Sequence, residues 1–287
     1  MTTVALATCS AYPRLYADDL PLVRALEAHG VRTMPVVWDD GAPHAADAWV
    51  VRSVWDYHLR AGEFLAWVAR ASEGRPFWND PALIRWNAHK RYLRDLEGRG
   101  VTVVPTLWVE DGAPGDLARA LDERGWGDVV VKPAVSASAH RTARFTARDR
   151  EGARAHCASL AETGVVMVQP YLASVEDYGE RSFFFIDGVH THGVRRQAVL
   201  TEGFEAERPA PLVTPSAPEL ALCRAVLAAL PAAPLYARVD IAPDAEGAPR
   251  LMELELIEPR LYFREAPAAA ERMAGVIAGK LSSRGAP

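Results

Sequence analysis

The chain has 287 residues, enough for about two domains of ordinary size. Hydrophobic residues make up 49% and charged residues 24%, the balance of a soluble globular protein, and a net charge of −5 gives no electrostatic footprint for nucleic acid. No apolar run reaches the length of a membrane span, the start lacks a signal-peptide pattern, and the three cysteines are far apart, so no disulfide framework is expected and a cytoplasmic location fits best.

Val4–Cys9 reads as a buried strand. A helix follows from Asp18 and Asp19 to Gly30, then strands at Val31–Val37 and Ala48–Arg52 and a helix at Gly62–Ala71. Strands alternating with helices predict an open parallel α/β sheet, and the absence of GxGxxG excludes a dinucleotide fingerprint. Pro81–Leu96 reads as one helix carrying Asn87 and Lys90. Strands are expected at Val101–Val109, Asp128–Lys132 and Val165–Gln169, with helices at Asp116–Arg124 and Glu151–Thr163 between them. Asp187-Gly188 marks a hairpin turn between Arg181–Ile186 and Val189–Arg195. Residues 198–216 read as a polar, proline-containing loop, Pro218–Leu230 as a helix and Pro267–Lys280 as a closing helix.

The most informative stretch is YARVDIAPDAEGAPRLMELELIEP. Its two apolar runs flank a turn, so it predicts a hairpin. Glu253 and Glu255 are two residues apart and share one face, opposite Asp240 on the partner strand, while Leu254 and Leu256 face a core. Three acids so placed repel one another unless a cation sits among them, and a hard cation such as Mg²⁺ prefers oxygen ligands. Arg238 shares the face of Asp240. It is read either as a stabiliser of charge on a transferred phosphoryl group or as a partner of Glu253 or Glu255.

Lys132 closes an apolar strand and precedes Pro133, so its stem is expected to be buried with the ammonium aimed into a cleft. The small-residue loop Ala134–Ala139, including Ser138, lets backbone N–H groups approach phosphate oxygens. Gln169-Pro170-Tyr171-Leu172 reads as a hinge between two lobes, with Glu176 or Glu180 beyond it to accept from ribose hydroxyls.

In their order, WNAHK (86–90), VVVKP (129–133), QPY (169–171), GERSFF (179–184), RVDI (238–241) and LMELELIEP (251–259) resemble the ATP-grasp superfamily. RSVWDY (52–57), PAVSASA (133–139) and LMELELIEP are similar to its branch containing the ligase that closes O-ureido-D-serine to D-cycloserine. The resemblance implies an α/β protein of the ATP-grasp fold. Its parts would be an N-terminal open parallel domain (1–95) and two lobes clasping ATP (96–172 and 173–287), the second carrying the metal site. It also implies an ATP-dependent carboxylate–amine ligase working through an acyl phosphate on a small amino-acid-like substrate, in specialised metabolite biosynthesis. The implied partners are a small-molecule carboxylate and an amine-type nucleophile, with no nucleic acid or membrane, and a homo-oligomer is common among similar ligases.

Carried over by motif, Lys90 and Lys132 contact phosphates, Gln169, Tyr171 and Leu172 frame adenine, and Glu180 meets ribose or nearby polar groups. Asp240, Glu253 and Glu255 hold Mg²⁺, as two ions. Arg238 stabilises the transition state, and Arg195 touches the γ-phosphate or the substrate carboxylate. Arg52 and Asp56, at the end of a strand where open α/β sheets place ligands, stand on the substrate side. Two positions depart from the pattern. Ser138 stands near an expected glycine, and Glu205 stands where an arginine is expected. These departures leave room for a catalytically reduced nucleotide-binding protein, and a small-molecule kinase would use the same ATP site.

Overall fold

The computed structural model describes residues 2–42, 44–110, 115–196 and 210–283. The N-terminal part runs β1 (Thr3–Thr8), α1 (Leu20–Ala28), β2 (Arg32–Val37), β3 (Ala48–Ser53), α2 (Ala61–Ala71) and β4 (Phe77–Trp78). The four strands pair in the order β2-β1-β3-β4, all parallel, as the alternation of strands and helices predicts. β3 is buried along its whole length, which is why it reads as a continuous apolar run.

The helix expected over Pro81–Leu96 is two helices, α3 (Pro81–Asn87) and α4 (Tyr92–Gly98). The apolar spacing runs on through Leu83, Ile84, Tyr92, Leu93 and Leu96, all buried, and so conceals the break. At the break the Lys90 backbone N–H turns away to donate to Ala134 O at 2.8 Å. The Asn87 side chain donates to Leu254 O and accepts from Leu256 N–H, both at 2.9 Å.

The central lobe contains β5 (Leu107–Val109), α5 (Leu117–Glu123), β6 (Val129–Pro133), β7 (Ala143–Phe145), α6 (Arg150–Ala161) and β8 (Val166–Pro170), with sheet order β5-β8-β6-β7, all antiparallel. The strand expected from Val101 begins only at Leu107, because Pro105 cannot donate to a ladder. Val103 instead makes an isolated bridge to Leu251. β7 has no counterpart among the expected strands; three residues carry too little periodicity to signal one.

The C-terminal lobe contains α7 (Ser174–Asp177), β9 (Glu180–Ile186), β10 (Val189–Arg196), α8 (Ala217–Ala228), β11 (Tyr236–Pro243), β12 (Pro249–Glu255) and α9 (Pro267–Ser282). Its sheet is antiparallel in the order β10-β9-β11-β12. A full capping box starts α8, with the Ser216 hydroxyl accepting from Glu219 N–H and the Glu219 carboxylate accepting from Ser216 N–H.

α9 returns to the N-terminal domain, where Met273, Ala274 and Ile277 share a buried core with Leu22 and Leu26 of α1. Each of the fully buried leucine, isoleucine and methionine side chains contributes about 1.5–3 kcal/mol. Buried Asn79 completes the junction, donating to Tyr236 O and Leu256 O and accepting from Leu235 N–H. Among the described residues no helix is long and apolar enough to cross a membrane.

Candidate active site

Between the two antiparallel sheets lies a cleft of about 720 Å³. Strand alternation decides which side chains reach it. On β6, Val129 and Val131 are buried in the core with Leu160 of α6, whereas Val130 and Lys132 line the cleft. On β11, Val239 and Ile241 are buried in the core and Arg238 and Asp240 line the cleft. On β12, Leu254 is buried and Glu253 and Glu255 are partly open to the cleft.

The hairpin register pairs Asp240 with Glu253 and Arg238 with Glu255 across β11 and β12. The three acids therefore stand where their spacing predicts, each against a basic group. Asp240 accepts from Arg238 through Nε at 2.9 Å and Nη2 at 2.8 Å, and from Arg196 Nη2 at 2.8 Å. Arg238 Nη2 also bonds Glu255 Oε1, and Arg196 Nη2 reaches Glu180 Oε2 at 2.8 Å. Lys90 Nζ lies 3.0 Å from Glu253 Oε1 and donates to Ser136 O at 2.7 Å. Burial pushes the Asp240 carboxyl up, but Arg238 and Arg196 outweigh it and hold it below the usual carboxylate range. Glu255 is pushed up to about 7 by burial, with Asp240 and Glu253 adding to it against the pull of Arg238. Glu258, further along the wall, is raised well above its ordinary value by burial and then by Glu255.

Among the described residues, no three His, Cys, Asp or Glu side chains already converge as a metal cluster. Asp240, Glu253 and Glu255 nevertheless fit Mg²⁺ by chemistry, being hard oxygen donors on one wall. Burial raises Glu255 and Glu258 because the positive charge nearby does not fully offset it.

Lys132 behaves differently from Lys90. Among the described residues its ammonium has no hydrogen bond or ion pair, although it lines the cleft near Glu253. Burial lowers its pKa, against the pull of Glu253. A half-buried cation with no internal partner is suited to an anionic ligand. In the loop after β6, Ser138 has φ +52° and Ala139 φ +55°, both in the left-handed region. The glycine expected near Ser138 thus corresponds to a real backbone demand, met here by serine at a cost of about 1–2 kcal/mol. Gly179 is required at its position: φ is +74°, and an added Cβ would stand 2.5 Å from Arg196 O.

At the other end, Gln169, Tyr171 and Leu172 line the cleft. The Tyr171 N–H is already used, donating to Asp128 O at 2.8 Å, and Gln169 Nε2 donates to Thr106 Oγ1 at 2.9 Å. Glu176 sits at the exposed mouth, accepting from Arg144 Nη1 at 2.6 Å and from the Tyr171 hydroxyl at 3.0 Å. Arg195 is exposed on the rim. Glu205 lies outside the described residues.

Arg52 and Asp56, expected on the substrate side, are not among the residues that line the cleft. Arg52 is 2% exposed, because the strand that carries it is covered on both faces. Its Nε pairs with Asp19 at 2.8 Å, Nη2 donates to Pro259 O at 3.0 Å, and the guanidinium lies over the Tyr236 ring. Asp56 accepts from Trp38 Nε1 at 2.9 Å. Their neighbours Trp55 and Tyr57 line the cleft instead, with Glu258, Arg260 and Tyr262. Sequence reasoning missed these five as a wall, and it missed Arg196. The period-2 pattern on β10 offered a signal for Arg196, since it lies across from Glu180 in the register.

Residues 4–79 match the family model described as D-cycloserine synthetase DcsG, N-terminal domain. Over 304 aligned positions the chain is 32% identical to the cycloserine biosynthesis protein DcsG of Streptomyces lavendulae, covering 98% of this chain and 99% of that protein. The crystal structure of D-cycloserine synthetase DcsG matches with a TM-score of 0.89 at 30% identity, over 97% of this chain and 99% of that one. A RimK domain ATP-grasp protein from Sphaerobacter thermophilus matches in fold, with a TM-score of 0.71 at 20% identity, over 96% and 98% of the two chains.

Proposed function

The chain belongs to the D-cycloserine synthetase branch of the ATP-grasp ligases, ATP-dependent enzymes that form C–N bonds, and from that membership we propose that it closes a small amino acid into a ring through an acyl phosphate. O-ureido-D-serine is the substrate proposed, and D-cycloserine the product. The observation that carries the reading is Lys132, a cation with no internal partner, in one cleft with Lys90 and the Asp240, Glu253 and Glu255 wall.

In this reading residues 1–95, 96–172 and 173–287 act as three units, with the nucleotide between the last two. Gln169, Tyr171 and Leu172 frame adenine, and Glu180 and Glu176 face the ribose side. Lys90, Lys132 and the backbone around Ser138 bind phosphate oxygens. Asp240, Glu253 and Glu255 would hold two Mg²⁺ ions, which offset the charge of the phosphates when bound. A substrate carboxylate oxygen attacks the γ-phosphorus and ADP departs. Arg238 and Arg195 stabilise the charge on the transferred group. The ureido nitrogen bonded to oxygen then attacks the acyl carbon and loses its proton, and phosphate leaves with the carboxylate oxygen. Water cleaves the carbamoyl group from the ring nitrogen, which takes a proton, and the carbamate released breaks down to carbon dioxide and ammonia, leaving D-cycloserine.

The test is ADP release on mixing protein, ATP and Mg²⁺ with O-ureido-D-serine, with the product followed by mass spectrometry. Release that depends on this acid and yields a cyclised product is expected. A phosphorylated product without a new C–N bond would replace the ligase reading with a kinase.

A further inference from the structure

One charged side chain on the cleft wall has no use in the steps above. Glu258 is 7% exposed and lines the cleft, yet among the described residues its carboxyl makes no hydrogen bond or ion pair. Its place is nonetheless held firmly. Its backbone carbonyl accepts from Trp55 Nε1 at 2.8 Å. The next carbonyl, Pro259 O, accepts from buried Arg52, and the preceding one, Ile257 O, accepts from the Tyr236 hydroxyl at 2.9 Å. The fold thus fixes a lone buried carboxyl in position without giving it an internal partner, which is costly unless a ligand completes it.

We infer that Glu258 receives the α-ammonium group of the substrate, so that the site selects an acid with a free amine beside the carboxylate that reacts. This rests on the ligase reading above. Glu258 lies close enough to Arg238 for the two charges to influence each other. A carboxylate reacting beside Arg238 carries its α-ammonium only two bonds from the acyl carbon, so the partner of that ammonium has to line the same cleft, as Glu258 does. The surroundings suit a cation, since the aromatic side chains Trp55, Tyr57 and Tyr262 line the same cleft as Glu258. The strongly raised pKa of Glu258 agrees with a carboxyl awaiting a positive partner.

The experiment compares wild type with Glu258→Gln on O-ureido-D-serine and on its des-amino analogue, 3-(ureidooxy)propanoic acid, by ADP release over ranges of acid, ATP and Mg²⁺. Wild type is expected to favour the amino acid in kcat/KM by about ten- to a hundredfold, the value of a hydrogen bond to a charged group. In Glu258→Gln that preference falls to near unity, chiefly through a higher KM for the amino acid, with the dependence on ATP and Mg²⁺ unchanged. The unliganded variant melts at the same or a higher temperature, because a lone buried carboxyl has been removed. A preference that survives the substitution overturns the inference and leaves the ligase reading standing. So does a shifted Mg²⁺ dependence, which would make Glu258 a metal ligand, or a clearly lower melting temperature, which would make it a structural group. Absence of ADP release by wild type with either acid overturns the ligase reading and this inference together.

Discussion

Arg196 reaches from β10 to Asp240 on β11, placing Nη2 2.8 Å from Oδ2, the same oxygen that Arg238 Nη2 meets at 2.8 Å. Asp240 is therefore clamped by two arginines before any ligand arrives. The acid proposed to hold a metal is also the counter-ion of two arginines that line the cleft. Binding and fold stability share this group.

That sharing separates two substitutions that look equivalent by sequence. Asp240→Asn leaves Arg238 and Arg196 short of a buried partner and should cost about 3–5 kcal/mol of stability together with about a hundredfold or more in turnover. Glu253→Gln loosens only Lys90, at a more open position, and should cost about 1–2 kcal/mol with a comparable loss of turnover. Urea unfolding beside ADP release checks both. Equal stability losses would contradict the clamp.

Lys132→Ala should weaken nucleotide binding about ten- to a hundredfold, measured by calorimetry with an ATP analogue and Mg²⁺. Without nucleotide its melting temperature should hold or rise, since the ammonium has no partner to lose. Because the folded-state pKa of Lys132 is lowered, its charged form costs stability below that value, and the cost fades as pH rises through it toward 10.5. The substitution should flatten this part of the stability profile.

Arg52→Met should behave as a core lesion. It leaves Asp19 buried without its cation, and a loss of about 3 kcal/mol or more is expected. The KM for the acid, measured on the folded fraction, should change little. A stable variant with a strongly raised KM would restore Arg52 to direct substrate contact.

His192 supplies a pH dependence away from the cleft. It is 9% exposed, stacked on Phe184 at 4.3 Å, with Nε2 3.0 Å from Leu261 O. Burial first, and then His190, lower its pKa to about 4. Between the ordinary value of 6.5 and about 4 the unfolded chain binds the proton and the folded chain does not, so stability falls as pH drops through that window. The loss approaches about 3 kcal/mol at most. Denaturant titrations at several pH values should show a shallower fall for His192→Gln. An unchanged slope would place the pH dependence elsewhere.

The parts of the site that lie along single strands were legible in advance. Period-2 alternation places Asp240, Glu253, Glu255 and Lys132 on the cleft side with their apolar neighbours behind them. The Asp187-Gly188 hairpin and the parallel N-terminal sheet followed from equally local signals. What escaped depends on contacts across the chain. The role of Arg52 is decided by Asp19 and Pro259, 33 and 207 residues away. The wall of Trp55, Tyr57, Glu258 and Tyr262 joins segments about two hundred residues apart, and no pattern within either segment announces the other. The break between α3 and α4 is hidden for a different reason. The buried residues on its two sides keep one apolar rhythm while the backbone between them turns to seat Lys90.

The central claim is that a substrate carboxylate is activated by ATP before the C–N bond forms. Its most direct test supplies O-ureido-D-serine labelled with ¹⁸O in the carboxylate, together with ATP and Mg²⁺, and examines the inorganic phosphate by mass spectrometry. The account predicts one ¹⁸O in each phosphate released, in step with D-cycloserine. Phosphate without label, or label retained in a product that lacks the ring, would contradict it.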